Sequence, residues 1–195
     1  MCDWKNNTEA PPPLQQLGDH RTTKFSRQDQ QEGLTWRLAS VISRPANLQD
    51  HTFRAPTGYV FFDIFNQASP QNPILRSPDF ASSQNDAQCL SFWFAPFGRG
   101  EATALSVVRV ELTPPEGEKE QRLLIWKMAT KKFDTSRPDW MYGQVSVATL
   151  TAYRIELEGE ATDGGFALDD VTFYDGNCQT RPEEAAVEPP PSEKF

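Results

Sequence analysis

Two carboxylates stand side by side near the end of the chain, Asp169 and Asp170 in GGFALDDVTFYDGNC (residues 164 to 178). Successive strand residues point to opposite faces, so a strand here predicts one inward and one outward carboxylate. An inward carboxylate is expensive unless it is paired, hydrogen-bonded or bound to a cation. Turn amides, a metal ion and a basic side chain each meet that demand, and the local sequence leaves all three open. A glycosidase pair is excluded, because adjacent strand residues diverge instead of flanking one bond.

Other chemistry has little to build on. No serine sits in a nucleophile elbow, and no histidine accompanies a cysteine in a recognisable arrangement. The histidines are His20 and His51 alone, too few for a transition-metal site. Cys2, Cys89 and Cys178 are too widely spaced for a zinc ribbon or a CxxC motif. Their odd number predicts one disulfide and one leftover thiol in an oxidising compartment. The expected class is a non-enzyme.

The elements that must hold these residues are strands. LTWRLASVI (34 to 42), GYVFFDIF (58 to 65), NPILRSPDF (72 to 80), CLSFWFAPFG (89 to 98) and ALSVVRVELT (104 to 113) are rich in aromatic and branched residues, which favour strands. RLLIWKMA (122 to 129), YGQVSVATL (142 to 150), YRIELEGE (153 to 160) and ALDDVTFY (167 to 174) continue the series. Leu90, Phe92 and Phe94 alternate with Cys89, Ser91 and Trp93, and Tyr153, Ile155 and Leu157 alternate with Arg154, Glu156 and Glu158, the half-buried pattern. Helical periodicity is not sustained anywhere. The prediction is an all-β fold, a sandwich or barrel.

Composition bounds the rest. With 195 residues, 37% hydrophobic content and 16 prolines, the chain predicts one packed domain with polar ends. We expect an N-terminal segment with a polar loop at 1–33, a core at 34–178, and an acidic, proline-rich tail or linker at 179–195. The formal charge of -8 argues against nucleic acid and against an anionic membrane surface. No run reaches the roughly 20 apolar residues of a membrane helix. The N-terminus has no signal-peptide core, which fits a cytosolic protein or a piece of a longer secreted one; composition does not choose between them.

Several of these stretches, in this order, resemble the MAM domain, the module of meprins, neuropilins and certain receptor tyrosine phosphatases. They are CDWK (2 to 5), GLTWRLAS (33 to 40), GYVFFD (58 to 63), CLSFWF (89 to 94), Ile125–Trp126, DWMYGQVSV (139 to 147), Leu157–Gly159, Ala167–Val171 and Gly176–Cys178. The resemblance covers about residues 2 to 178 and implies a jelly-roll β-sandwich of two antiparallel sheets in an extracellular setting. It implies a disulfide between Cys89 and Cys178, with Cys2 left without its usual partner. It also implies a structural calcium or sodium ion at Asp170, shared with an N-terminal acid. Here that acid's position is Lys5, so the expectation is a Lys5–Asp170 ion pair in place of the metal, with Asp3 and Asp63 as further ligands.

The implied function is a non-catalytic module for protein–protein contacts, homophilic ones among them, in cell adhesion or receptor assembly. The alternative from another class is a carbohydrate-binding module that recognises glycans through exposed aromatics. A third is a stabilising appendage of a larger protein. Trp36, Trp93, Trp126 and Trp140 are expected in the core, which opposes the glycan reading. Lys131, Lys132 and Arg137 make a local basic loop that fits the rim of a protein interface. Asn6 opens the sequon Asn6-Asn7-Thr8, so a glycan is expected there in a secreted protein.

Overall fold

A computed structural model describes residues 21–22, 26–27, 36–69, 71–82, 87–99, 104–112, 120–129 and 135–187. Cys2, Asp3, Lys5, Asn6, Lys131 and Lys132 lie outside the described residues. Among the described residues there are eleven strands: β1 (Arg21–Thr22), β2 (Ser26–Arg27), β3 (Arg37–Leu38), β4 (Val60–Ile64), β5 (Ile74–Arg76), β6 (Gln88–Gly98), β7 (Ala104–Glu111), β8 (Gln121–Ala129), β9 (Met141–Val147), β10 (Tyr153–Glu160) and β11 (Gly164–Asp175).

They form a jelly-roll sandwich of two antiparallel sheets. The first runs β3-β4-β11-β6-β9, with β1 also beside β11; the second runs β2-β5-β10-β7-β8. The strands expected over 58–65, 89–98, 104–113, 122–129, 142–150, 153–160 and 167–174 are found, shifted at their ends by a few residues, whereas those expected over 34–42 and 72–80 shrink to β3 and β5. The polar segment before residue 34, expected as a loop, also contributes β1 and β2.

Alternation decides what each sheet buries. Leu90, Phe92 and Phe94 of β6 face the inter-sheet core with Phe62, Trp126, Tyr153, Leu157, Phe166 and Leu168. The opposite faces differ from each other. On the first sheet, Tyr59, Phe61, Ala95, Phe97 and Ala167 form a second apolar layer, covered by Ala39, Leu48 and Trp140. The segment that joins β3 to β4 thus folds back over the outer face of its own sheet.

The start of β11 explains the paired glycines of its sequence. A Cβ added at Gly165 would fall 1.9 Å from the Phe62 carbonyl oxygen. One at Gly98 of β6 would fall 2.2 Å from the Gly164 Cα. Only glycine permits that approach between neighbouring backbones.

The second sheet carries an ion-pair lattice on its outer face. Glu156 of β10 is fully buried and accepts hydrogen bonds from Arg76 Nε at 2.8 Å, Arg154 Nε at 2.9 Å and Arg122 Nη1 at 2.6 Å. Arg154 continues to Glu120, and Arg122 to Glu158. Burial by itself would raise the Glu156 carboxyl, but the hydrogen bonds from Arg154 and Arg122 outweigh it and hold it below its ordinary range. The alternating charges predicted on β10 are therefore outward-facing, as expected, yet the middle one is shielded from water by its partners.

The segment expected as a tail or linker at 179–195 is described as far as residue 187. Residues 181–187 pack on the sandwich, and Ala185 lies in the inter-sheet core with no exposure. The acidic and proline-rich composition that predicted a linker coexists with one small apolar side chain that fits the core.

Candidate functional site

Asp169 and Asp170 sit where β11 changes partner. Along one edge, β11 pairs with β4 from Gly164 to Leu168 and with β1 at Thr172 and Phe173. Between those stretches its pairing with β6 slips, from Asp169↔Trp93 to Thr172↔Ser91. This is a β-bulge, which adds a residue and re-aims the side chains beside it. Asp170 takes the left-handed conformation, φ 47°, which aspartate tolerates better than most residues.

The bulge overturns the simple alternation. Leu168 and Val171 both face the inter-sheet core, so neither aspartate does. Both carboxylates instead meet the β3–β4 segment from the outer side of the sheet. Asp169, 5% exposed, accepts from the His51 backbone N–H at 2.8 Å and from the Asp170 N–H at 2.8 Å. The Asp170 carboxylate lies 3.0 Å from His51 Nδ1 and accepts from the Thr52 hydroxyl.

The same segment is tied down at further points. Trp140 Nε1 donates to the Gln49 carbonyl at 2.7 Å, and the Tyr59 hydroxyl to the Leu48 carbonyl at 2.9 Å. Asp50, 3% exposed, turns its carboxylate onto the backbone N–H groups of Phe53 and Ala55. The His51 ring stacks on Trp93, with centroids 3.7 Å apart and planes at 17°. Trp93 lies across from Asp169 on one side and from Tyr142 on the other. A row of Tyr142, Trp93 and Asp169 across β9, β6 and β11 thus makes the floor on which His51 rests.

Burial raises the Asp169 carboxyl most, opposed by the His51 N–H and reinforced by the Asp170 and Asp50 charges, from 3.8 to about 6. The sign of the consequence follows. Between these two values the folded chain keeps a proton that the unfolded chain has released. Stability from this group is therefore complete below pH ~4 and lost as pH rises through ~6, by about 3 kcal/mol in all. D169N removes the titrating group, so the stability of wild type relative to D169N should fall by that amount between pH 4 and pH 7. Urea denaturation midpoints of the two proteins at each pH measure it; a pH-independent difference refutes the assignment.

Asp63, expected near Asp170, is on β4 and forms an ion pair with Arg37. Lys5 and Asp3 lie outside the described residues. Among the described residues, no three acidic, histidine or cysteine side chains come together to hold a metal. The carboxylates of Asp50, Asp63, Asp169 and Asp170 are each turned to a hydrogen-bond donor. The described residues by themselves do not fit a calcium or sodium ion. His51, Thr52 and Trp93 were not singled out as partners of the aspartates. The visible sign is a polar turn, Asp50-His51-Thr52, between two of the expected strands.

Cys89 and Cys178 are joined, with Cα atoms 5.6 Å apart and a sequence separation of 89. Trp36 and Trp126 are fully buried, Trp140 is 8% exposed and Trp93 is half-buried. No exposed tryptophan row exists among the described residues. An open groove of about 310 Å³ lies on the second sheet's outer face, bordered by Asn72, Ser106, Val108, Leu124, Lys127 and Glu160.

A two-sheet jelly roll, closed by this disulfide and carrying a side-chain-anchored loop on one face, belongs to the class of compact β-sandwich modules. Residues 18–179 match the sequence model of the MAM domain, meprin/A5/mu, and the chain belongs to that family. It is 28% identical over 160 residues to neuropilin-1 of Homo sapiens and 26% identical over 159 residues to neuropilin-1 of Gallus gallus. Each alignment covers 80% of this chain and 16% of the relative, so the chain spans about one sixth of the length of the curated relatives it matches. Among solved structures, it is similar to the K1 cleaved adhesin domain of Lys-gingipain from Porphyromonas gingivalis, with a TM-score of 0.49 and 16% identity, covering 79% of this chain and 91% of that one. It is also similar to the CBM22-1 xylan-binding domain of Paenibacillus barcinonensis Xyn10C, with a TM-score of 0.45 and 8% identity, covering 80% and 87%.

Proposed function

We propose that the chain is a non-catalytic extracellular module that docks a protein partner through the segment between β3 and β4, in adhesion or receptor assembly. One observation carries this reading. Of the eight large hydrophobic side chains that stand exposed among the described residues, Leu38, Val41, Ile42 and Phe53 fall within sixteen consecutive positions. Ile42 is 97% exposed and Phe53 70% exposed, beside Arg54, which is also exposed. The polar anchors around Asp50, His51 and Asp169 hold the segment in place before any partner arrives. A pre-ordered loop loses less entropy on binding.

The other outer face is poorly suited to this role, because its arginines and glutamates already satisfy one another. The disulfide supports an oxidising, extracellular setting. Among the described residues, no helix is long and apolar enough to cross a membrane. The glycan alternative has the open groove but lacks an aromatic platform, since the described tryptophans are buried or half-buried.

Beads coated with the full chain test this directly, scored for bead–bead aggregation and for binding a panel of purified receptor and secreted ectodomains. Binding in either arm should be lost in F53A and in V41S/I42S, and kept in E120A on the opposite face. Binding that survives both loop variants refutes the surface. A glycan array that scores positive while both protein arms stay silent favours the alternative.

A further inference from the structure

The segment between β3 and β4 carries two hydrogen-bonded turns, and each displays side chains that turn chemistry does not call for. The first is closed in both directions. The Ser40 N–H donates to the Ser43 carbonyl at 2.9 Å, and the Ser43 N–H to the Ser40 carbonyl at 3.3 Å. Val41 and Ile42 stand at its centre, 68% and 97% exposed. Glycine, asparagine and aspartate are the usual residues in turns, and a β-branched apolar pair there gains nothing from water.

The second turn is closed by the Asp50 N–H on the Ala55 carbonyl at 2.8 Å, with the Asp50 carboxylate on the Phe53 and Ala55 N–H groups. It displays Phe53 and Arg54, both exposed. Arg54 stands at φ 57°, and Ala46, between the two turns, at φ 43°. Both are left-handed conformations that residues with a Cβ adopt at a cost, and such strain clusters at binding sites.

A cation follows each apolar display: Arg44 after Ile42, and Arg54 directly after Phe53. The other charges nearby are already engaged. Arg37 pairs with Asp63, Asp50 is buried on its own turn, and Asp169 and Asp170 lie on the sheet side, bonded to His51 and Thr52. Among the described residues neither Arg44 nor Arg54 has an ion-pair partner, and Arg44 Nε is buried without an acceptor. The segment thus offers apolar surface beside unmatched positive charge, on a chain whose net charge is -8.

We infer, resting on the docking role proposed for this segment, that its partner is a protein whose contact face sets Asp or Glu side chains beside an apolar patch. The patch takes Phe53, Val41 and Ile42, and the carboxylates meet Arg54 and Arg44. Because the chain as a whole is acidic, it does not draw a negative partner from a distance; these two cations select at contact range. An anionic bilayer would suit the same turns, but the net charge opposes it.

The test selects binders of the full chain from a phage-displayed library of random linear peptides and measures each again on V41S/I42S. Peptides whose binding V41S/I42S abolishes report on the segment. We expect them to join aromatic or aliphatic residues to Asp or Glu, and to lose about tenfold in affinity on R54E. R54K, which keeps the charge, should weaken them far less, and added salt should weaken them on wild type. Segment-dependent peptides that carry Lys or Arg, or no charge, overturn the inference and leave the docking role standing. Acidic peptides that bind R54E unchanged also overturn it. If V41S/I42S abolishes no peptide, the docking role falls and this inference with it. Cosedimentation of the full chain with phosphatidylserine vesicles, lost in V41S/I42S, assigns the turns to a lipid surface and overturns the protein partner.

Discussion

Replacing Glu156 with alanine should cost the domain about 3–5 kcal/mol, the usual penalty for removing one partner of a buried ion pair. Three guanidinium groups converge on this carboxylate, and without it they repel one another beneath a partly dehydrated surface. The loss is read as a lower urea midpoint with an unchanged denaturant slope. E120A is the matched control. Glu120 is 49% exposed and bonds to the same Arg154, and exposed pairs contribute little. An E156A midpoint within error of E120A would mean that the lattice is decorative.

Glu156 also has a pH signature opposite to that of Asp169. Its carboxyl is held below the ordinary glutamate value of 4.5, so its contribution is present above that value and disappears as pH falls below it. Asp169, held above its ordinary value, contributes most in acid. The two buried carboxylates therefore pull stability in opposite directions, and E156A and D169N separate them.

Removing the Cys89–Cys178 bridge in the C89A/C178A variant should cost about 4 kcal/mol, because the crosslink closes a long loop in the unfolded chain. The 89-residue separation places it near the upper part of the usual range. Cys178 is also held locally, its N–H donating to Ser146 Oγ at 2.7 Å and its carbonyl accepting from the same hydroxyl at 3.0 Å. These bonds remain after reduction, so the variant should still fold at low temperature. Thermal melts with and without reductant provide the check. A wild-type melting point that reductant leaves unmoved, with both thiols shown free, would remove the bridge as a source of stability.

What the sequence by itself determined is an all-β fold and the direction of most side chains, and likeness to a family narrowed that fold to a sandwich. Alternation is a local property of an extended chain, so Phe92 against Trp93, or Ile155 against Glu156, reveals its face without knowledge of any partner. The bridge between Cys89 and Cys178 was also legible, through likeness to a family and not through spacing. Burial of Trp36, Trp126 and Trp140 followed from their positions in or beside strands, whereas Trp93 is half-buried on the outer face beneath His51.

What only the tertiary structure decided is how the exceptions are resolved. Asp169 and Asp170 leave strict alternation because β11 passes from β4 to β1 at that point, and the handover depends on strands more than a hundred residues away in sequence. His51 reaches Asp169 across 118 positions, a contact that no local pattern encodes. Glu156 looked like an ordinary outward charge; its burial comes from arginines on three different strands. The packing of residues 181–187 was hidden because its anchor is one alanine, Ala185, in an acidic, proline-bearing stretch. A single methyl group has no period, and only a core shaped to receive it makes it visible.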